Sequence, residues 1–207
     1  MAGALVALEG IDQAGKMTQA RAIQERLRQH GLGCEVRHYP DYATAIGGLI
    51  RAALGGGLAL DARTRCMLFA ANRWEKDAEM RGLRDTNDLL IVDRYTWSNV
   101  VYGLSQGLEE GWLLGLEVGL LEPDLTLLVD ISPEESRRRK ARERDDYERN
   151  AHLLEQARAN YLRIARERGW VVLDGEAPPA HVTASTFAAL ESRLASRVPE
   201  LQRALRS

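Results

Sequence analysis

Short unbroken apolar runs alternate along the chain with stretches whose apolar residues recur every three or four positions. Residues 4–8 (ALVAL) are wholly apolar and stop at Glu9-Gly10, the pattern of a strand buried on both faces. From about 15 to 30 the spacing becomes helical, with Ala20, Ile23 and Leu27 on one side and Gly31 as the stop. A second strand is expected over 34–40 (CEVRHYP), ended by Pro40. Helices follow at about 43–54 and 61–85, separated by the glycines at 55–57. The run 88–95 (DLLIVDRY) predicts a third buried strand that ends in charge. Residues 98–121 read as helix, but glycines at 103, 107, 111, 115 and 119 predict an interruption or a close helix contact. A fourth strand is expected at 125–132 (LTLLVDIS), with Pro133 in the first turn of the next helix. A fifth is expected at 170–175 (WVVLDG), followed by an amphipathic helix from about 179 to 198.

Alternating strands and helices imply an α/β fold, a parallel sheet covered on both faces. With no repeat, low-complexity linker or break in composition, residues 1–207 read as a single domain. Composition narrows the function more than the fold. A formal charge of −2 supplies no bulk basic field for nucleic acid. Cys34 and Cys66 have neither metal-ligand spacing nor a disulfide framework. No apolar run reaches membrane-spanning length, and the N-terminal run is too short for a secretory signal, so a cytoplasmic protein is expected. Lysine occurs only at 16, 76 and 140 in an otherwise arginine-rich chain, mild support for a chemical role at position 16.

Lys16 closes the pattern Gly-x4-Gly-Lys, with Gly10 and Gly15 before it. Between a buried strand and a helix, such a loop turns backbone N–H groups inward and adds the positive helix N-terminus, a site for phosphate. The hydroxyl residue that normally follows and ligates magnesium is absent: Met17 stands there, and Thr18 comes one step late. Asp93 and Arg94 sit where the third strand ends, the edge at which α/β sheets bind ligands. There a carboxylate can hold magnesium through water and a guanidinium can grip phosphate; a capping Asp with an Arg partner is the plainer alternative. Phe69 and Arg73 share a helix face at i and i+4, placed to stack on a base and bond its edge, although a core Phe and a solvated Arg would look the same. Arg137, Arg138, Arg139, Lys140, Arg142 and Arg144 crowd into eight positions. They suit a solvated face, a nucleic-acid patch, or an arginine lid that closes on a polyphosphate.

Six segments, EGIDQAGKMTQ, YPDY, LFAANRWE, DRYTWSNVVY, EPDLTLLVD and RDDYERN, occur in an order and spacing that resemble the thymidylate kinases from about Leu5 to Gly175. The resemblance implies a P-loop NTPase-type three-layer sandwich. Its five-stranded parallel sheet has the order 2-3-1-4-5, the lid spans about 137–149, and the protein is a homodimer. It implies phosphorylation of dTMP to dTDP by ATP with Mg2+ as cofactor, and ATP and dTMP as the partners, with no nucleic acid and no membrane.

Residue by residue, the resemblance assigns the ATP-binding loop to Gly10, Ile11, Asp12, Gln13, Ala14, Gly15, Lys16, Met17 and Thr18. The dTMP pocket falls to Asp12, Tyr42, Phe69, Arg73, Arg94, Asn99, Tyr102 and Tyr147, with Tyr102 crowding a ribose 2′-hydroxyl. The metal falls to Asp93, Asp12 and Glu148, with Asp145 beside them at the lid's end. Catalytic roles fall to Lys16, Asp12 and Arg94. Gln13 replaces an arginine that some members carry beside the loop's acid, so the lid is expected to supply the catalytic arginine, Arg142 or Arg144, with Arg139 a third candidate. Tyr42 stands where many members have a phosphate-binding arginine, which points to a bacterial subtype. The runners-up are a kinase for another nucleoside or nucleotide, a degenerate nucleotide-binding module marked by Met17 and Gln13, and a nucleic-acid binder using the 137–144 arginines.

Overall fold

A computed structural model describes residues 2–140, Tyr147 and residues 150–206. Five strands, β1 (Ala4–Glu9), β2 (Cys34–His38), β3 (Leu89–Asp93), β4 (Leu125–Asp130) and β5 (Val171–Asp174), form one sheet in the order β2-β3-β1-β4-β5. Every neighbouring pair is parallel, as expected. Alternate residues of the central strands feed two cores. Ala4, Val6, Leu8, Leu89 and Ile91 face one, while Leu5, Ala7, Leu90 and Val92 face the other. Burial on both faces is why these strands read as continuous apolar runs.

The helices are α1 (Lys16–Gln29), α2 (Ala45–Leu54), α3 (Ala62–Trp74), α4 (Asp77–Thr86), α5 (Thr96–Leu104), α6 (Glu110–Gly115), α7 (Pro133–Arg139), α8 (Ala151–Arg168), α9 (Pro179–Leu194) and α10 (Glu200–Arg206). The expected helix 61–85 divides after Trp74. Leu68 and Phe69 of α3 pack on one core, whereas Met80 and Leu83 of α4 pack on the other. One straight helix cannot serve both faces of the sheet. The glycine-weakened stretch 98–121 is interrupted, giving α5, α6 and a loop over 116–124. The C-terminal helix ends at Leu194 and restarts at Glu200. α8 had no expectation of its own, yet its signals are ordinary. Asn150 Oδ1 accepts from the Leu153 N–H at 3.0 Å, Leu153, Leu154, Ala157, Tyr161 and Ile164 are buried at helical spacing, and Gly169 ends the helix in the left-handed region.

In the sheet register Leu8 pairs with Asp93, and Glu9 with Leu128. The carboxyl ends of β1 and β3 therefore open at the same edge, with the loop 10–15 and the Arg94 turn side by side.

Candidate active site

The loop leaves β1 at Gly10, whose φ is +138° and where a Cβ would lie 2.3 Å from the Val129 carbonyl oxygen. Only glycine fits that turn. Gln13 and Gly15 also have positive φ, and α1 begins at Lys16 with no side-chain cap. Its first N–H groups thus stay open to an anion. Lys16 is buried; its Nζ donates to the Ile11 carbonyl at 3.0 Å and lies 3.9 Å from Asp93 Oδ1. Burial, helped by nearby Arg94, depresses the Lys16 pKa, while Asp93 and Asp12 act against that shift. Met17 packs against the core and Thr18 is exposed on α1.

Opposite the loop, Arg94 takes a φ of +61°, a strain of about 1–3 kcal/mol that the surroundings must hold. Its Nη2 lies 2.8 Å from Asp12 Oδ1, its Nη1 donates to Ser98 Oγ at 3.3 Å, and its Cζ sits 5.4 Å from the centre of the Tyr102 ring. Tyr102 Oη donates to Asp12 Oδ2 at 3.4 Å. Burial alone would raise the Asp12 pKa, but the Arg94 and Lys16 cations outweigh it and hold the carboxyl below its ordinary value. Asp93 Oδ1 is buried without a hydrogen bond, a carboxylate oxygen suited to a metal-bound water.

Glu9, which carried no expected role, underpins this turn. Fully buried, it accepts from the Tyr95 N–H (3.0 Å), Ser98 Oγ (2.6 Å) and Tyr161 Oη (2.9 Å). It ties β1 to the Arg94 turn and to α8. A charge at the end of an all-apolar strand was its signal in the sequence.

Asp12, Tyr42, Phe69, Arg73, Arg94, Asn99, Tyr102 and Tyr147, the eight residues grouped as an acceptor pocket, all line one cleft. It encloses about 600 Å³ of empty space with its open mouth included. Tyr147 stacks on Tyr102 at 5.3 Å between centroids and lies 6.4 Å from Phe69. Tyr42 packs under the Arg51 guanidinium at 4.9 Å. Arg73 is 3 % exposed and forms a two-pronged ion pair with Glu117, another residue without an expected role. Asn99 Nδ2 donates to Glu117 Oε1 at 2.7 Å and to the Cys66 carbonyl at 3.1 Å, and Asn99 Oδ1 is left buried without a hydrogen bond.

Of the three candidate lid arginines, Arg139 ends α7. It donates to the carbonyls of Gln13 (3.1 Å) and Gly175 (2.7 Å) and to Glu135 (2.7 Å), so it rests on the backbone of the phosphate loop. Arg142, Arg144, Asp145 and Glu148 lie outside the described residues. Among the described residues no three His, Cys, Asp or Glu side chains converge as a ready metal cage. That leaves Asp93 as the carboxylate best placed for an ion carried in by phosphates.

A family model for thymidylate kinase matches residues 8–185. A thymidylate kinase of Arabidopsis thaliana is 37 % identical over 172 residues, covering 83 % of this chain and 65 % of that protein. One of Danio rerio is 34 % identical over 174 residues, 83 % of this chain and 82 % of the other. A probable thymidylate kinase of Thermococcus onnurineus is 33 % identical over 171 residues, 77 % and 83 % of the two chains. Among solved structures, a thymidylate kinase from Candida albicans, described as revealing the origin of broad substrate specificity, superposes with a TM-score of 0.82. It is 28 % identical and covers 92 % of each chain.

Proposed function

This chain belongs to the thymidylate kinase family, enzymes of the P-loop NTPase fold, and we propose that it transfers the γ-phosphoryl group of ATP to dTMP, releasing dTDP and ADP. The observation that carries the choice of acceptor is the pair Arg73 and Asn99 in the cleft: a guanidinium with N–H groups to donate beside a buried carboxamide oxygen with none to accept. Thymine offers O4 as an acceptor and N3–H as a donor, the complement of that pair. Cytosine offers the reverse at those positions and leaves both groups unmatched, a mismatch that binding sites punish heavily. Phe69 stacks on the ring, and Tyr102 fills the space a ribose 2′-hydroxyl would need.

Phosphoryl transfer needs position and charge neutralisation more than bond-making help. The acceptor oxygen of dTMP is already anionic near pH 7, so no strong base is required. The loop amides and Lys16 hold the donor phosphates, and Arg94 holds the acceptor phosphate. Asp12 keeps the Arg94 guanidinium aimed between the two nucleotides. Asp93, with Asp12 and Glu148, would hold Mg2+, and the ion would supply neutralisation of phosphate charge. Because Met17 offers no loop hydroxyl, carboxylates and phosphate oxygens would have to hold the ion.

The lid over 137–149, in the one domain of residues 1–207, supplies Arg142 or Arg144 to the transition state in place of the arginine lost at Gln13, the bacterial-type arrangement. Arg139 anchors the lid's base on the loop. The protein works as a homodimer, as the family resemblance implies; of the apolar residues in 98–121 that were candidates for its surface, Leu113 and Leu120 are buried in the fold. Its two free thiols, Cys34 and Cys66, suit the reducing cytoplasm.

A coupled ADP-release assay tests this. Rates are compared for dTMP, dUMP, dCMP, dGMP and thymidine, with and without Mg2+; the panel is broad because a structural relative is described as having broad specificity. Metal-dependent turnover fastest with dTMP is expected. A preference for dCMP or a purine nucleotide would overturn the acceptor assignment, and tight binding with no ADP formed would favour a degenerate module.

A further inference from the structure

The two groups that face the base are held from behind by one carboxylate. Glu117, buried in the loop after α6, accepts from Arg73 Nε at 2.9 Å through Oε2 and from Arg73 Nη2 through Oε1. Oε1 also accepts from Asn99 Nδ2 at 2.7 Å. These bonds decide what the cleft presents. Arg73 spends Nε and Nη2 on Glu117, which leaves Nη1 in a residue that lines the cleft. The Asn99 amide has acceptors, Glu117 and the Cys66 carbonyl, on its nitrogen side only, so the buried carbonyl end is the one left without a hydrogen bond. Were the amide reversed, Oδ1 would face both a carboxylate and a carbonyl.

The loop is shaped to deliver that carboxylate. Trp74, next to Arg73 on α3, donates from Nε1 to the Leu116 carbonyl at 3.0 Å, and Arg81 Nη2 donates to the Gly119 carbonyl at 2.7 Å. Gly119 has a φ of +103° and a Cβ there would come 2.9 Å from the Trp74 ring, so the turn that brings Glu117 inward admits no side chain. A buried Arg–Glu pair is often merely structural. Here its carboxylate has a third donor, and that donor fixes the polarity of a second cleft-lining group.

We infer that Glu117 is a positioning residue for base recognition: it sets Arg73 as donor and Asn99 as acceptor, so that the site reads the imide edge of thymine. The inference rests on the functional reading above. It is tested with Glu117→Gln and Glu117→Asp by measuring KM for dTMP, KM for ATP, kcat, the dTMP-to-dCMP preference and thermal unfolding. The Gln variant keeps an oxygen for Asn99 but sets an N–H against Arg73. Its dTMP KM should rise by about thirtyfold or more, as for loss of one partner of a buried charged hydrogen bond, with the ATP KM within about twofold. The Asp variant keeps the charge, one methylene shorter, and should show a smaller rise and a weakened preference over dCMP; it decides the matter if the Gln variant does not fold. A folded variant whose dTMP KM and preference match the parent, or one in which both substrates weaken equally, overturns the inference. A parent protein that releases no ADP with dTMP overturns the functional reading and the inference together.

Discussion

The two ends of the cleft are built in opposite ways. At the proposed phosphate end the groups come from consecutive backbone: Gly10 to Lys16 supply a turn, open N–H groups and one cation, and Arg94 is placed by the next strand over. At the base end no two contributors are neighbours in sequence. Arg73 comes from α3, Asn99 from α5 and Glu117 from a loop 44 residues beyond Arg73. On the proposed reading, phosphate would be read by a local shape, and a base edge by a buried network assembled from distant parts. Damage should therefore cost different things at the two ends. The base end should lose stability together with selectivity, and the phosphate end mainly rate.

The largest effect is expected from Arg73→Met. It strands the Glu117 carboxylate in the interior, and breaking a buried pair in this way costs about 3–5 kcal/mol. Denaturant unfolding should show that loss directly. The double variant Arg73→Met with Glu117→Met should recover most of the stability and none of the dTMP affinity. If the double variant also recovers affinity, the base end is not the network described.

Lys16→Met comes next. Removing a preorganised cation aimed at developing charge should lower kcat by about 10²–10³-fold, while the melting temperature stays near the parent's. A matched loss of stability would erase the contrast between the two ends. Gly10→Ala falls between these types, because its φ of +138° and the 2.3 Å approach to Val129 are paid in backbone strain. About 1–3 kcal/mol of stability should go, together with a higher ATP KM, and a normal ATP KM would show that the loop binds without its turn.

The same contrast explains what could be foreseen. Gly10, Gly15 and Lys16 form a motif because their geometry is local, and the five strands announce themselves because burial on both faces leaves unbroken apolar runs. Phe69 and Arg73 stand out by their shared helix face, where a core Phe and a solvated Arg would look the same, while Asn99 and Tyr102 become candidates only through a resemblance spread over six segments. Glu117 sits in LLGLEVGLL, where a lone Glu reads as the polar side of a helix. Nothing nearby marks it as the partner of a residue on another element. Glu9 is similar, since its bond to Tyr161 spans 152 positions. The division between α3 and α4 escaped for a related reason. Helical spacing continues through Trp74, and only the need to cover both faces of the sheet requires the chain to turn.

A smaller effect is expected where the end of α7 meets the loop. Arg139 donates to the Gln13 and Gly175 carbonyls at 3.1 and 2.7 Å, and its side chain is partly exposed. Arg139→Ala should raise the ATP KM by roughly three- to tenfold, the net worth of about one ordinary hydrogen bond, and leave the dTMP KM alone. Steady-state titration of each substrate against saturating levels of the other distinguishes this from a general loosening, in which both constants would rise.

The smallest effect concerns pH, and it separates stability from rate within the phosphate end. Asp12 has a folded-state pKa below its ordinary value, because the Arg94 and Lys16 cations outweigh the opposing effect of burial. A depressed carboxylate pKa stabilises the fold above the unfolded value and ceases to do so as pH falls through the folded one. Its contribution is therefore lost only in acid below about pH 4, and it should leave stability flat from pH 5 to 8. The Lys16 pKa is also lowered, by burial and by Arg94, which for a lysine disfavours the charged form that turnover needs. Turnover should then decline on the alkaline side earlier than an ordinary lysine would dictate, as the cation on the donor phosphates is lost. Lys16→Arg, always charged, should remove that alkaline decline even if its rate is low, because the proton at fault would no longer be there to leave. A pH profile of kcat/KM whose alkaline limb is unchanged in Lys16→Arg would place the titrating group elsewhere than at Lys16.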